Sequence, residues 1–328
     1  MPRAPGRAVV HVDPAFAEAV VWRVLSGAGG RGAGGRGAGG RGAGPAQPRR
    51  DAFTEHRRRT DAIYELDGET ARETAFSRLA QGEFERLGLS EPLLLAIAER
   101  PPVAERVRIV LVGQARGLHD EGVTWEPGGR HLGIRIDGSR FADTDGLLAW
   151  ARHALGHAED TIDPAFGYVP GWEETPAGRI AAGTQARLHR LWDVIVDARL
   201  AAAGLLVDVS VIGHHREGLA ADLSGVAPET VDAVFGALWD GPLPTFAQLL
   251  AWAARPIELV AATFPGDPGL PRPDRCPLCR FPSDDVGVPA HPIAVLVSAD
   301  YPDWLPELGL CGRCSDRYRF AGHLGGAA

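Results

Sequence analysis

The 328-residue sequence has no lysine and no asparagine, so all 34 of its basic side chains are arginine. Together with 42 glycines and 26 prolines, this is the bias of GC-rich coding, and counts of arginine or alanine carry little weight here. Positive charge is in deficit: 42 acidic residues against 34 basic ones give a net charge of −8, the wrong sign for general affinity to a phosphate backbone. Long apolar runs are missing as well. The best candidate, residues 248–264, is interrupted by Arg255, Pro256 and Glu258, short of the roughly 18 uncharged residues that a membrane span needs. The apolar stretch 9–25 carries His11, Asp13, Pro14 and Glu18 and fails as the core of a signal peptide. The expectation is a cytoplasmic protein with no membrane association. In that reducing compartment four cysteines read as metal-binding thiolates rather than as two disulfides.

With 45% hydrophobic residues the chain can bury a core, and its length suits about two domains. Residues 27–44 repeat GAGGR three times and then read GAG. No side chain there is apolar and large enough to offset the entropy of ordering, so 27–50 is expected to be a flexible insert after an N-terminal helix at 1–26. Between 51 and 100 the apolar residues fall at helical spacing, broken at Gly68, Gly88 and Pro92, which predicts two or three helices. The runs 107–112 (VRIVLV) and 131–137 (HLGIRID) read as strands. A helix capped by Asp143 or Thr144 then carries Leu147, Leu148, Ala151 and Leu155 and ends before Pro164. After a Gly/Pro-rich loop at 166–183, further helices are predicted at 185–203, 228–239 and 245–254. Five prolines between 265 and 277 mark a domain boundary.

Two constellations can carry chemistry. Cys276-Pro-Leu-Cys279 and Cys311-Gly-Arg-Cys314 are two CxxC pairs 31 residues apart, with no cysteine left over. Each pair suits a tight knuckle turn, and four thiolates complete the tetrahedral shell of a zinc ribbon, with Zn–S bonds of about 2.3 Å. Such a site leaves no open position for catalysis, so this zinc is structural and folds a segment, 265–328, too small to hold itself together. The second constellation is His153-Ala-Leu-Gly-His157. Residues four apart share one face of a helix, so both imidazoles can reach a single ion.

The stretch 152–168, RHALGHAEDTIDPAFGY, resembles the HExxH zinc metallopeptidases, in particular a group of uncharacterised bacterial proteins whose helix reads like RHELxHxxDxxDPAFGY. The resemblance covers roughly residues 51–255. It implies an α+β fold: a zincin-like helical domain with a small β-sheet at 51–264, to which the zinc ribbon is appended, and a helix containing Trp192–Asp197 that faces the metal. It also implies a zinc ion at His153 and His157, a second ion beside the structural one. The glutamate that follows the first histidine in that family acts as general base, and here the position is Ala154, which can neither take nor give a proton. No catalytic residue is therefore assigned. For the third ligand Asp197 ranks first, Asp163 second and Asp193 third, while pairing with Arg187, Arg190 or Arg199 is the alternative fate of the two helical aspartates. His214-His215 suits loop packing better than a site, because adjacent side chains diverge. The function these readings imply is a zinc-binding, metallopeptidase-like protein that is inactive or weak and engages a protein or peptide partner. The alternatives are an active metallohydrolase using another carboxylate, such as Glu159 or Asp160, and a nucleic-acid-associated zinc-ribbon protein, which the −8 charge disfavours.

Overall fold

The computed structural model describes residues 8–27, 46–117, 120–125, 129–175, 178–206, 208–223, 226–263, 275–283 and 286–325, without the side chains of 46–50, 175, 178–179 and 321–325. The chain is α+β and forms two compact units, Met1–Ile162 and Asp163–Ala328. The division falls inside the stretch 51–264 that reads as one domain in the sequence. It coincides with Asp163-Pro164, where the proline ring disfavours helical backbone at the preceding residue.

The first unit opens on a strand, β1 (Val9–Val12), followed by helix α1 (Pro14–Ser26), whereas the sequence reading made one helix of both. Asp13 separates them. Its carboxylate accepts from the Phe16 amide at 2.9 Å, Pro14 takes the first helical position, and Gly27 closes the helix at φ 69°. Most of the Gly-Ala-Arg repeat lies outside the described residues. Helix α2 (Ala46–Tyr64) starts within the segment expected to be flexible, since a proline such as Pro48 is tolerated in a first turn whose N–H groups lack helical partners anyway. Then come α3 (Glu69–Arg86), α4 (Glu91–Ala98) and α5 (Pro101–Arg106), broken at Gly68 and Gly88, both with positive φ.

The sheet continues with β2 (Ile109–Gln114), β3 (Gly122–Trp125) and β4 (His131–Ile136) in the order β1-β2-β4-β3. β1 and β4 flank β2 in parallel and β3 runs antiparallel to β4, with Val10, Val110 and Leu132 in register. Alternation sends Val12, Val110, Val112, Leu132, Ile134 and Ile136 to one buried face. There they share a core with Phe16 and Val20 of α1 and with Leu147, Ala151 and Leu155 of α6 (Thr144–Ile162). A buried charge knits the helices: Glu83, 2% exposed, is held by Arg59 at 2.8 Å and by Arg86.

The second unit starts with a turn at 163–167 and a two-stranded hairpin, β5 (Glu174–Thr175) and β6 (Gly178–Arg179). Helix α7 (Ala182–Ala202) is its axis, burying Leu188, Leu191, Trp192, Ile195 and Leu200. Packed into the same core are Leu219 of α8 (Val211–Asp222), Val234 and Phe235 of α9 (Pro228–Asp240), Leu249 of α10 (Phe246–Ala254) and Val260 of α11 (Pro256–Thr263). A capping box between Thr245 and Gln248 starts α10. The C-terminal part contains α12 (His291–Asp300) and α13 (Gly312–Gly325). Its β structure among the described residues consists of two isolated bridges, Arg275 with Pro282 and Gly287 with Leu310. It is thus richer in helix than the expected ribbon, because the 31 residues between the cysteine pairs include the apolar run 293–297 (IAVLV), which lies in a helix with Pro292 in its first turn.

Candidate metal sites

The four cysteines converge. Cys276 and Cys279 sit on a knuckle turn closed by the Arg280 amide donating to the Cys276 carbonyl at 2.8 Å and by the Cys276 amide donating to the Phe281 carbonyl at 2.9 Å. Arg280 closes the turn with φ 59°, the one non-glycine residue at positive φ among the described residues. Cys311 and Cys314 lie at the start of α13, beside the bridge between Gly287 and Leu310. All four sulfurs lie within 4.8 Å of one another, and the Cys279 and Cys311 Sγ atoms are 3.8 Å apart. A tetrahedron with Zn–S bonds of about 2.3 Å has sulfur–sulfur edges of about 3.8 Å. The residues therefore fit a metal ion of that size.

The electrostatics also call for a cation. Burial pushes the Cys276 thiol up, but amide N–H groups of Cys279, Cys311 and Leu278 aimed at its sulfur outweigh burial and bring it down to about 7. Burial and the neighbouring sulfurs push Cys311 and Cys314 the other way. One thiolate is stabilised by the backbone, and its presence opposes ionisation of Cys311 and Cys314. A divalent ion removes that conflict, because thiolates and not thiols are the ligands.

The histidine pair lies on α6 in the first unit. Leu147, Ala151, Ala154, Leu155 and Ala158 bury one face of this helix, and His153 and His157 occupy another, half-buried. Their Nε2 atoms are 3.2 Å apart. Two Zn–N bonds of about 2.0–2.1 Å at the tetrahedral angle separate the nitrogens by about 3.3 Å, so the rings present a matched pair of ligand atoms. Ala154, the position of the family's general base, is itself buried, 8% exposed.

Two crossed ion pairs fix this helix. Arg152 grips Glu99 through Nε and Nη2 at 2.7 and 2.6 Å, while Arg100 contacts Glu159 through Nη1 at 2.5 Å and donates from Nη2 to the Arg152 carbonyl at 2.8 Å. All four side chains are at most 23% exposed. These bonds hold Glu159, and Asp160 is fully buried. Neither carboxylate is placed like a base that moves freely in a solvent-filled cleft.

The three nominated aspartates belong to the second unit. Asp163 accepts from the Ala165 amide at 2.8 Å and shapes the turn after α6. Asp193 lies half-buried on α7. Asp197, one turn further, is 4% exposed and accepts from His215 Nε2 at 2.8 Å, so one of its oxygens is committed within its own unit. His214 points outward while His215 turns in to Asp197 and lies against Trp239, the divergence that adjacency on a helix predicts. Of the arginines considered as alternative partners, Arg187 and Arg190 contact Asp303 and Asp222.

Among the described residues no helix is long and apolar enough to cross a membrane. No protein-family model, no curated protein and no solved structure matches the chain, so the likeness to HExxH metallopeptidases stands on the motif residues around His153 and His157.

Proposed function

We propose that this is a zinc-binding protein with a metallopeptidase-like part and no strong hydrolytic activity. Cys276, Cys279, Cys311 and Cys314 would hold one structural zinc ion, and His153 and His157 would be two ligands of a second. A structural zinc supplies folding energy, and all the chemistry left to the chain is binding. The observation that carries this reading is the cysteine quartet: all four sulfurs lie within 4.8 Å of one another, the Cys279–Cys311 separation matches the edge of a thiolate tetrahedron, and the Cys311 amide points at the Cys276 sulfur. Weak or absent hydrolysis is supported by Ala154 at the general-base position and by the ion pair that engages Glu159. With no turnover to perform, the role that fits is engagement of a protein or peptide partner. The net charge of −8 disfavours a nucleic acid in that place.

Metal analysis of the full chain, purified under reducing conditions, tests this. One zinc per chain survives gel filtration, and a second is taken up from solution and lost in His153→Ala. Chains without zinc but with four titratable thiols would end the reading. Replacing Asp163, Asp193 and Asp197 singly by asparagine, with uptake of the second ion as readout, ranks the three nominated ligands. Chelator-sensitive cleavage of a peptide pool, abolished by His153→Ala, favours an active hydrolase instead.

A further inference from the structure

A short loop of the cysteine-bearing part touches the helical part of its own unit. After α12 the chain turns at 301–304. The loop is anchored on the cysteine side: Trp304, 5% exposed, donates from Nε1 to the Gly309 carbonyl at 3.1 Å, and Gly309 passes at φ 73° against Val286 and Gly287. Gly287 pairs with Leu310, the residue before Cys311. On its other side the loop presents Asp303 to the first turn of α7. Asp303 Oδ1 is 3.4 Å from Arg187 Nη2, and its Oδ2 would lie 2.9 Å from a Cβ atom on Gly183. Arg187 also donates to the Ala253 carbonyl at 2.6 Å near the end of α10, and to Thr184 at 3.3 Å.

Helix α7 starts at Ala181 with no side-chain cap of its own. A carboxylate beside its first turn complements the positive end of the helix dipole, and the missing side chain of Gly183 makes room for it. Seven residues lie between Asp303 and Cys311, and the first and last of them, Trp304 and Leu310, belong to one small core with Tyr318. A core of that size does not hold its shape unaided.

We propose that Asp303 is a metal-dependent clasp: with the thiolate site filled, the loop 301–304 holds this carboxylate against α7 and Arg187, and emptying the site releases the first turns of α7. This rests on the reading of the four cysteines as a zinc site. Coupling of this kind is reciprocal, so the clasp strengthens zinc binding by the factor by which zinc strengthens the clasp.

Hydrogen exchange on the full chain, zinc-loaded against chelator-treated under reducing conditions, reads the coupling at residues 185–189. Gln185 is the first residue of α7 whose amide reaches the Ala181 carbonyl, at 3.1 Å, so amides before it exchange quickly in any case. Removing zinc is expected to speed exchange at 185–189 at least about fivefold, the lower end of ordinary inter-site coupling. In Gly183→Ala the methyl group displaces the carboxylate while improving helix propensity, and exchange at these amides no longer responds to zinc. Asp303→Ala shows the same loss of response and weakens zinc binding, measured against a chromophoric chelator, by a matching factor. Unchanged exchange at 185–189 while residues 286–314 accelerate would overturn the clasp and leave the zinc site standing. If no zinc is recovered and 276–314 do not respond either, the zinc reading falls and takes the clasp with it.

Discussion

The cysteine quartet and the histidine pair relate to their surroundings in opposite ways. Cysteines 276 and 311 are part of the small core they hold together, with Val286 as the other fully buried member, so the ligands and the fold are one object. His153 and His157 stand on a helix already fixed by the main core of the first unit and by the crossed pairs of Glu99 with Arg152 and Arg100 with Glu159. On the proposed reading, loss of an ion from the first site would remove its architecture, whereas loss of one from the second would leave the rings where they are. Donor number separates them too. Four thiolates form a complete shell from one stretch of chain, whereas two imidazoles fill half a shell and leave open positions, the arrangement from which reactivity is built.

The sharpest way to break this contrast is to remove ligands from each site. Cys276→Ser with Cys311→Ser should abolish tight zinc binding, a loss on the scale of the about 10–16 kcal/mol measured for structural zinc in small domains, and should make residues 275–325 sensitive to protease. His153→Ala with His157→Ala should leave thermal unfolding nearly unchanged. Equal destabilisation by the two variants would erase the distinction. Next in size is Ala154→Glu, which puts back the carboxylate of the HExxH pattern; on the proposed reading it should raise peptide hydrolysis by about 10²–10⁴-fold. If metal is retained and no activity appears, the metallopeptidase likeness is a matter of sequence alone.

A smaller effect is expected from Arg100→Met, which leaves the Glu159 carboxylate poorly solvated and without its arginine. About 3 kcal/mol of stability should disappear, read from the denaturant midpoint, and a loss no larger than that of an exposed pair would show that the Arg100–Glu159 pair does not hold α6. The smallest effect concerns pH. Burial holds the His56 imidazole below its ordinary pKa, with Glu83 and Glu18 pulling it up and Arg86 and Arg59 pulling it down. The folded state then takes up fewer protons than the unfolded one as pH falls below about 6.5, so stability declines from there towards the lower folded value. His56→Gln should flatten that part of the melting-temperature profile, and an unaltered slope would assign the decline to another group.

What the sequence revealed follows from range. The CxxC pairs and the i, i+4 histidines are local patterns: turn geometry brings together the sulfurs within each pair and helix geometry the two rings, while the meeting of the two pairs was read from the chemistry of a four-thiolate shell. The apolar runs that became β2 and β4, and the periodic stretches that became α6, α7, α9 and α10, were legible for the same reason. β1 was missed because four residues, VVHV, carry too little period against the helical pattern that follows, although Asp13-Pro14 is a start signal that separates them. β3, four residues reading GVTW, is equally short. The partners of Glu159, Arg152 and Asp197 were out of reach, since they lie 59, 53 and 18 residues away and are chosen by packing. The aspartate ranked first as a ligand spends one oxygen on His215, for which the sequence favoured surface or loop packing over a site.

The strand at the start of the chain has a consequence for handling the protein. β1 covers the hydrogen-bonding flank of β2, pairing Val10 with Val110 and Val12 with Val112, across a separation of nearly a third of the sequence. A shortened chain lacking residues 1–27 would leave a six-residue apolar strand with unsatisfied amides and carbonyls, a ready template for another copy. Self-association, rather than a gentle loss of stability, is the fate expected of such a truncation.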